Sequence, residues 1–151
     1  MSVFNIQQQK GILTEIQCIE KFIELGFSVS IPYGNANRYD LLVDTGNKIF
    51  RVQCKSANLN ENGSYTVSTV TSVATMATQY KKFYDSSQID LMVTIIENQM
   101  VFIPVSFIEK STSRIFRTEL PKHGAKSQCN LIEDFSFEKI MKPMIEGEND
   151  N

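Results

Sequence analysis

Two segments of alternating polar and apolar residues, separated by a short turn, constrain the fold of this chain most strongly. Residues 39–44 and residues 48–55 show the two-residue period of half-buried strands, and the sequence Thr-Gly-Asn at positions 45–47 is a turn signal between them. The pattern predicts a β-hairpin, whose strands bring polar residues near their ends close together.

The polar positions of this hairpin are the candidate site residues. Alternation places Gln53 and Lys55 on one face of the second strand and the intervening Cys54 on the other. If Asp40 in the first strand faces the same side as Gln53 and Lys55, three polar groups converge at the strand ends. Asp44 shares the predicted face of Asp40 but lies at the turn, where we expect it to be solvated.

A helix is predicted before the hairpin, over residues 7–25, and Gly26 is a normal helix-stopping residue. Isoleucines at helical spacing form one stripe, which predicts the buried face of this helix. Glu15 lies about 60° from the centre of the stripe, so we expect its carboxylate to be partly shielded from water. The isoleucines of the stripe are Ile12, Ile16, Ile19 and Ile23.

The remaining pattern combines short strands with a few helical segments. The order of helix, mixed sheet and helices predicts an α+β (α/β-like) fold with one central mixed sheet flanked by helices. We expect one domain over residues 1–151, with a disordered acidic tail over about residues 146–151. The other predicted segments are strands at residues 27–31, 65–70, 89–96 and 100–105, a helical turn at residues 79–84 and a terminal helix at residues 135–145, with residues 68–78 open between strand, loop and short helix.

Composition excludes several classes of protein. At 151 residues with 42% hydrophobic content, the chain can bury a sizeable core. It has no apolar run of transmembrane length and no signal-peptide pattern, so we expect a cytoplasmic protein that does not associate with membranes. Three cysteines, an odd number, predict reduced thiols. The cysteines and the single histidine are too scattered to predict a zinc site.

Positive charge is concentrated in one segment, although the net charge of the chain is −2. Residues 110–126 hold five basic residues against one acid, and a local positive surface can bind phosphates on an acidic protein. In the alternative interpretation, Arg114 and Arg117 form surface ion pairs with Glu109 and Glu119. The candidate phosphate contacts in and near this segment are Arg114, Arg117, Lys122, His123 and Lys126, with Arg114 and Arg117 one turn apart if the segment is helical.

A second candidate DNA surface is the stretch rich in serine and threonine before residue 79. If it forms a strand ribbon, Ser68, Thr69 and Thr71 can present hydroxyls to bases and phosphates in the major groove. We expect phosphate contacts to provide affinity and a few side chains at base edges to provide specificity.

A family resemblance follows from a series of short motifs, dense over about residues 10–57 and looser beyond. The sequence resembles the PD-(D/E)XK nuclease superfamily and, more narrowly, its group I intron-associated homing endonucleases, which implies a restriction-endonuclease-like core. The motifs are Lys10-Gly11, Thr14-Glu15, Gly26-Phe27, Ile31-Pro32-Tyr33-Gly34, Arg38-Tyr39-Asp40-Leu41 and Arg51-Val52-Gln53-Cys54-Lys55.

The resemblance implies roles for four residues around a Mg²⁺ ion, for which Mn²⁺ can substitute. Asp40 is the implied principal ligand, Glu15 holds the metal directly or through water, and Gln53 contributes its side-chain oxygen. Lys55 orients the attacking water or neutralises charge on the phosphate. Gln53 departs from the superfamily pattern, which has an acid there. The narrower group carries a glutamine at this position, which favours an active site.

The implied function is site-specific, metal-dependent cleavage of double-stranded DNA by an intron homing endonuclease. A Holliday junction resolvase and a restriction endonuclease of the same fold are alternatives, and a catalytically inactive DNA-binding protein is a further one because Gln53 carries no charge. Cutting both strands requires two active sites, so we expect a homo-oligomer, either a dimer or a tetramer. Residues 102–108 and the C-terminal helix are the candidate interfaces.

Overall fold

The computed structural model describes residues 1–124 and 129–147; Lys126 and the tail residues 148–151 of the predictions above lie outside the described residues. Within them, the strands form a mixed sheet in the order β1-β2-β3-β8-β9, a second sheet in the order β11-β10-β5-β4, and a two-stranded ribbon, β6-β7. The elements are α1 (Ile6–Glu24), β1 (Ser28–Ser30), β2 (Leu41–Asp44), β3 (Ile49–Cys54), β4 (Ala57–Leu59), β5 (Tyr65–Ser68), β6 (Val70–Ala74), β7 (Gln79–Phe83), β8 (Leu91–Ile96), β9 (Gln99–Pro104), β10 (Ser113–Arg117), β11 (Asn130–Leu131) and α2 (Met141–Glu146), with 3-10 turns at Val105–Phe107 and Ile132–Phe135.

Helix α1 begins and ends close to the predicted residues. Asn5 caps it, because its side chain accepts a hydrogen bond from the Gln8 N–H while the Gln8 side chain accepts one from the Asn5 N–H. At the other end, Gly26 adopts φ = 87°, a left-handed conformation that glycine reaches without strain. The predicted helix and its stop at Gly26 are therefore confirmed.

The prediction of which face of α1 is buried is wrong for three of its four isoleucines; Ile19 is partly buried and packs against the core. Thr14, Cys18 and Phe22 are the buried residues of the helix, at a spacing of four along one face. By contrast Ile12, Ile16 and Ile23 are 40%, 54% and 58% exposed. The physical reason is that the small side chains of Thr14 and Cys18 allow the helix to pack closely on the sheet, where Thr14 Oγ1 and Ser56 Oγ lie 2.9 Å apart.

The predicted hairpin is confirmed, and its register is defined. Strands β2 and β3 pair antiparallel with Leu41 opposite Val52, and β3 pairs in parallel with β8, which makes the sheet mixed. At the turn, Asp44 is exposed and Oδ1 accepts the Gly46 N–H over 2.8 Å, as expected for a turn residue.

The fold is α+β, as predicted. Two apolar cores cover the two faces of its mixed sheet. Phe50, Val52 and Cys54 of β3 belong to the first core, which lies beneath α1 and also takes in Met141 of α2. The second core lies between the mixed sheet and the second sheet and includes Ile103.

The predicted interface segments are largely used inside this chain, so that prediction is corrected. Phe102, Ile103 and Ile108 are at most 2% exposed and contribute to the two cores. Within the C-terminal helix, Met141 is fully buried and Met144 packs against the first core. These apolar residues are therefore not available to a second chain.

Two helical predictions fail for identifiable reasons. Gln79–Phe83 is strand β7, because it pairs with Val70–Ala74 across a turn in which Thr75 Oγ1 accepts the Thr78 N–H over 3.0 Å. The predicted terminal helix is shorter: Phe135 packs on Phe107 and Phe116 in one core while Phe137 packs on Phe27 and Phe102 in the other. Aromatic rings two residues apart that enter different cores require an extended connection.

No helix in residues 1–124 and 129–147 is long and apolar enough to cross a membrane.

An ion pair between adjacent strands gives a stability prediction. Arg51 donates from Nε and NH2 to the Asp90 carboxylate (3.1 and 2.9 Å), and Asp90 Oδ2 also accepts the Arg51 N–H over 2.8 Å. Although burial opposes it, these hydrogen bonds hold the pKa of Asp90 below its ordinary value. Asp90→Ala should lower the free energy of unfolding by about 2 kcal/mol in urea titrations, because charged hydrogen bonds are lost from a half-buried site.

The matched control is Asp134→Ala, which removes an aspartate from the exposed pair with Lys139. That variant should unfold at the wild-type midpoint. Equal midpoints for Asp90→Ala and the wild type would show that the Arg51–Asp90 pair does not stabilise the junction of β3 and β8.

Candidate active site

Glu15 and Asp40 lie together in one cavity between helix α1 and the start of β2. The cavity has a volume of about 340 Å³, and both residues are half-buried, as predicted for Glu15. Cys54 also lines it, and the Cys54 N–H donates to Asp40 Oδ2 over 3.0 Å. The fold therefore holds two carboxylates from different elements against the end of β3.

The two carboxylates are held at an electrostatic cost. Burial raises the pKa of Glu15 above its ordinary value, and the negative charge of Asp40 raises it further. Burial also raises the pKa of Asp40, against the opposing effects of the Cys54 N–H and the positive charge of Lys55. A bound cation would offset the lost hydration of these carboxylates and the repulsion of Glu15 by Asp40.

Gln53 and Lys55 lie on the adjoining end of β3, but neither lines the cavity. The pairing of Leu41 with Val52 places Asp40 next to Gln53 along the hairpin. The Gln53 amide nitrogen lies 3.4 Å from the Cys54 carbonyl, so Oε1 is the amide atom that suits a hard cation. Lys55 is half-buried, and its charge acts on Asp40.

Contacts with Val70, Tyr84 and Val93 hold Lys55 in place. Its Nζ donates to the Val70 carbonyl over 3.1 Å and lies 5.5 Å from the centroid of the Tyr84 ring. Its backbone N–H donates to the Val93 carbonyl, which fixes the end of β3 against β8. The ammonium group is thus anchored near Asp40 by contacts outside the hairpin.

Cys54 is buried, as the alternation predicts. A hydrogen bond with Cys18 and burial raise the pKa of the Cys54 thiol well above its ordinary value. The side chain is consequently unreactive, while its backbone N–H supports Asp40.

The serine and threonine candidates divide into exposed and internal groups. Ser68 is exposed at the end of β5, where a DNA contact stays a prediction. Thr69 is fully buried and donates to the Ser111 carbonyl, so its predicted DNA contact is wrong. Thr71 is half-buried and its Oγ1 lies 2.7 Å from the Tyr84 hydroxyl, which makes it an internal contact of the ribbon.

The two candidate arginines lie on strand β10, so their predicted helical spacing is wrong. Arg114 Nε donates to the Phe107 carbonyl over 2.8 Å and the guanidinium lies 4.4 Å from the centroid of the Phe107 ring. These contacts hold the guanidinium against Phe107, and a role for Arg114 in reading bases stays a prediction. Arg117 NH1 instead donates to the Asn62 carbonyl over 3.1 Å.

Arg117, Lys122 and His123, three of the candidate DNA contacts, lie together, and their binding of phosphate stays a prediction. They line a second cavity, of about 410 Å³, together with Glu119 and backbone at Gly63. Lys122 and His123 are exposed, so both can reach a ligand from solvent.

Sequence reasoning missed Arg38 and Tyr84. The Arg38 guanidinium stacks 4.0 Å from the centroid of the Tyr84 ring, beside Lys55. The one sequence signal for Arg38 is its position two residues before Asp40. Tyr84 was missed because residues 79–84 were predicted to form a helical turn.

Comparisons with known proteins identify the family and the fold. The model of the PD-(D/E)XK endonuclease family matches residues 5–138. The structure of a bacterial homing endonuclease, I-Ssp6803I, superposes with a TM-score of 0.79, covering 97% of this chain and 98% of that chain at 19% sequence identity. That degree of identity shows a shared fold. No curated protein matches the sequence. Since the family model spans most of the sequence, this chain belongs to the PD-(D/E)XK endonuclease family.

Proposed function

We propose that this chain is a site-specific, divalent-metal-dependent endonuclease that hydrolyses double-stranded DNA as a homo-oligomer, in intron homing. The observation that carries the proposal is the pair of half-buried carboxylates, Glu15 and Asp40, beside the charge of Lys55. Family membership makes the chain a nuclease; metal dependence, specificity and homing are the proposed refinements.

The residues at the cavity fit a hard divalent cation such as Mg²⁺, or Mn²⁺ in its place. Among the described residues there is no group of three or more His, Cys, Asp and Glu side chains that could hold a metal. The proposed ligands are instead Asp40, Glu15 and the Gln53 amide oxygen. Burial raises both carboxyl pKa values, and a bound cation would compensate the charge of the two desolvated carboxylates.

The bound cation would supply Lewis-acid stabilisation of the charge that develops on the scissile phosphate. Asp40 is oriented for this role by the Cys54 N–H. Lys55 places a positive charge beside the same carboxylate, where it can neutralise charge on the phosphate or orient the attacking water.

Two surfaces are proposed to hold DNA. The ribbon (β6, β7 and the turn between them) is a two-stranded element, a type that the major groove admits, and every residue of β7 is exposed, including Tyr80, Lys81 and Lys82. The cavity lined by Arg117, Lys122 and His123 offers positive charge to backbone phosphates.

The isoleucines of α1 are the proposed interface with a second copy of the chain. Ile12, Ile16 and Ile23 share the face opposite the buried one, and each is at least 40% exposed. An exposed apolar helix face is stabilised by pairing with an identical face. Ile12 also lines the carboxylate cavity, so this interface would lie next to the active site.

Cleavage is the first test. With Mg²⁺, purified protein incubated with a duplex library should give discrete cuts, and EDTA or Asp40→Ala should abolish them because the metal site is lost. The matched control is Asp44→Ala, at the exposed far end of the same strand, which should cut at the wild-type rate. Cutting that survives Asp40→Ala would contradict the site.

The same assay separates the alternatives. Preference for four-way junctions over linear duplex would indicate a resolvase, and binding with no cleavage would indicate an inactive nuclease core. A neighbouring methyltransferase gene would favour restriction, whereas a reading frame within an intron would favour homing.

DNA binding is the second test. Arg117→Ala and Lys122→Ala should each weaken cognate and mismatched duplexes alike and lower the salt slope by about one unit, because phosphate contacts are lost. Fluorescence anisotropy over a salt series measures this, with Lys139→Ala as the surface-lysine control. A loss confined to the cognate duplex would assign these residues to base readout, and unchanged binding would place the DNA surface elsewhere.

Assembly is the third test. Wild-type protein should sediment as a dimer or tetramer, and Ile16→Glu should shift it to monomers because a charge enters the apolar face. Ile49→Glu, at a 58% exposed isoleucine on β3, is the matched control and should leave assembly unchanged. A wild-type protein that stays monomeric on DNA would refute the proposed oligomer.

A further inference from the structure

The base of the ribbon is buried although its strands are exposed. Val70, the first residue of β6, is 5% exposed, and Tyr84, the residue after β7, is 3% exposed. Just before β6, the Thr69 hydroxyl donates to the Ser111 carbonyl and its N–H donates to the Thr112 carbonyl. The ribbon is therefore a projecting arm with a fixed base.

Tyr84 lies at the centre of this base and uses both its ring and its hydroxyl. The guanidinium of Arg38 lies 4.0 Å from the ring centroid, and the ammonium group of Lys55 lies 5.5 Å from it. The Tyr84 hydroxyl lies 2.7 Å from Thr71 Oγ1 on β6. One aromatic side chain thus contacts two cations and the first strand of the ribbon.

Each cation is also bonded to a different strand of the ribbon. Lys55 Nζ donates to the Val70 carbonyl on β6 over 3.1 Å. Arg38 NH2 donates to the Phe83 carbonyl at the end of β7 over 2.9 Å. Arg38 Nε is buried without a hydrogen-bond partner among the described residues, so the guanidinium is placed there by stacking and by its bonds to β7.

We infer that Tyr84 is a positioning residue that holds Lys55 in place through the base of the ribbon. The inference rests on the proposed function, in which Lys55 acts at the scissile phosphate and the ribbon contacts DNA. Because the same side chain fixes both, the distance between the ribbon and Lys55 is set by the protein. DNA bound along the ribbon is thereby presented to Lys55 in one register.

The first arm of the test separates binding from chemistry. Tyr84→Leu should lower the maximal single-turnover cleavage rate by about 10- to 100-fold, as expected for a displaced catalytic group, with little change in the affinity for the selected duplex measured in Ca²⁺. Tyr84→Phe and Thr71→Val, which remove only the hydroxyl contact, should each retain most of the rate. Tyr65→Phe, a matched hydroxyl removal on β5, should cleave like the wild type.

A double-mutant cycle distinguishes positioning from general damage to the fold. In a Lys55→Ala background, Tyr84→Leu should cause no further loss of rate, because the residue through which Tyr84 acts is absent. An equal loss in both backgrounds would overturn the inference, as would a fall in DNA affinity that accounts for the whole fall in rate.

The second arm does not need cleavage. A lysine ε-methylene resonance in the wild-type NMR spectrum, assigned to Lys55 by its absence in Lys55→Arg, should be displaced by the Tyr84 ring current. It should remain displaced in Tyr84→Phe and return to the bulk lysine position in Tyr84→Leu. If no displaced resonance disappears in Lys55→Arg, the inference fails even if the protein cuts DNA. A displaced resonance in a protein that cuts nothing would refute the proposed function and support the positioning contact.

Discussion

The placement of two half-buried carboxylates, Glu15 and Asp40, against the end of β3 is the constraint on which the site depends. Both carboxyl groups carry raised pKa values, so the folded chain holds them at a cost in free energy. Rigid elements maintain the pair. The β2–β3 register presents the Cys54 N–H to Asp40, and Lys10 of α1 donates to the Ala57 carbonyl over 2.8 Å, which fixes the helix against the chain after β3.

Strand β3 has one face of buried apolar residues and an opposite face that carries charged residues. Phe50, Val52 and Cys54 fill the core beneath α1, so the strand cannot shift register without exposing them. The opposite face carries Arg51, which clamps Asp90, and Lys55, which reaches the base of the ribbon. The alternation therefore divides the site: Cys54 lines the carboxylate cavity on the side of α1, whereas Lys55 lies outside the cavity and acts on Asp40 through its charge.

Local patterns in the sequence were sufficient for the helix, the hairpin and the adjacency of Asp40 to Gln53, because these depend on caps, turns and period-two alternation. They were insufficient where distant segments decide. Ile12, Ile16 and Ile23 of α1 face outward because Thr14 and Cys18 suit close packing on a sheet formed later in the chain. The contact of Tyr84 with Lys55 links residues far apart in sequence, and Arg114 is held by Phe107 through a strand pairing that no local pattern encodes.

Unfolding of the wild type and Asp40→Asn, compared in EDTA and in Mg²⁺, measures the cost of holding Asp40 ionised beside Glu15. Since both carboxyl pKa values are raised, the stability that the protonated groups contribute is present below their unfolded-state pKa values and is lost as the pH rises through the folded-state ones. In EDTA at about pH 7, Asp40→Asn should therefore be more stable than the wild type, and the difference should shrink towards about pH 3. Mg²⁺ should then stabilise the wild type and leave Asp40→Asn unchanged. A variant that is less stable than the wild type in EDTA at neutral pH, yet still stabilised by Mg²⁺, would contradict the account.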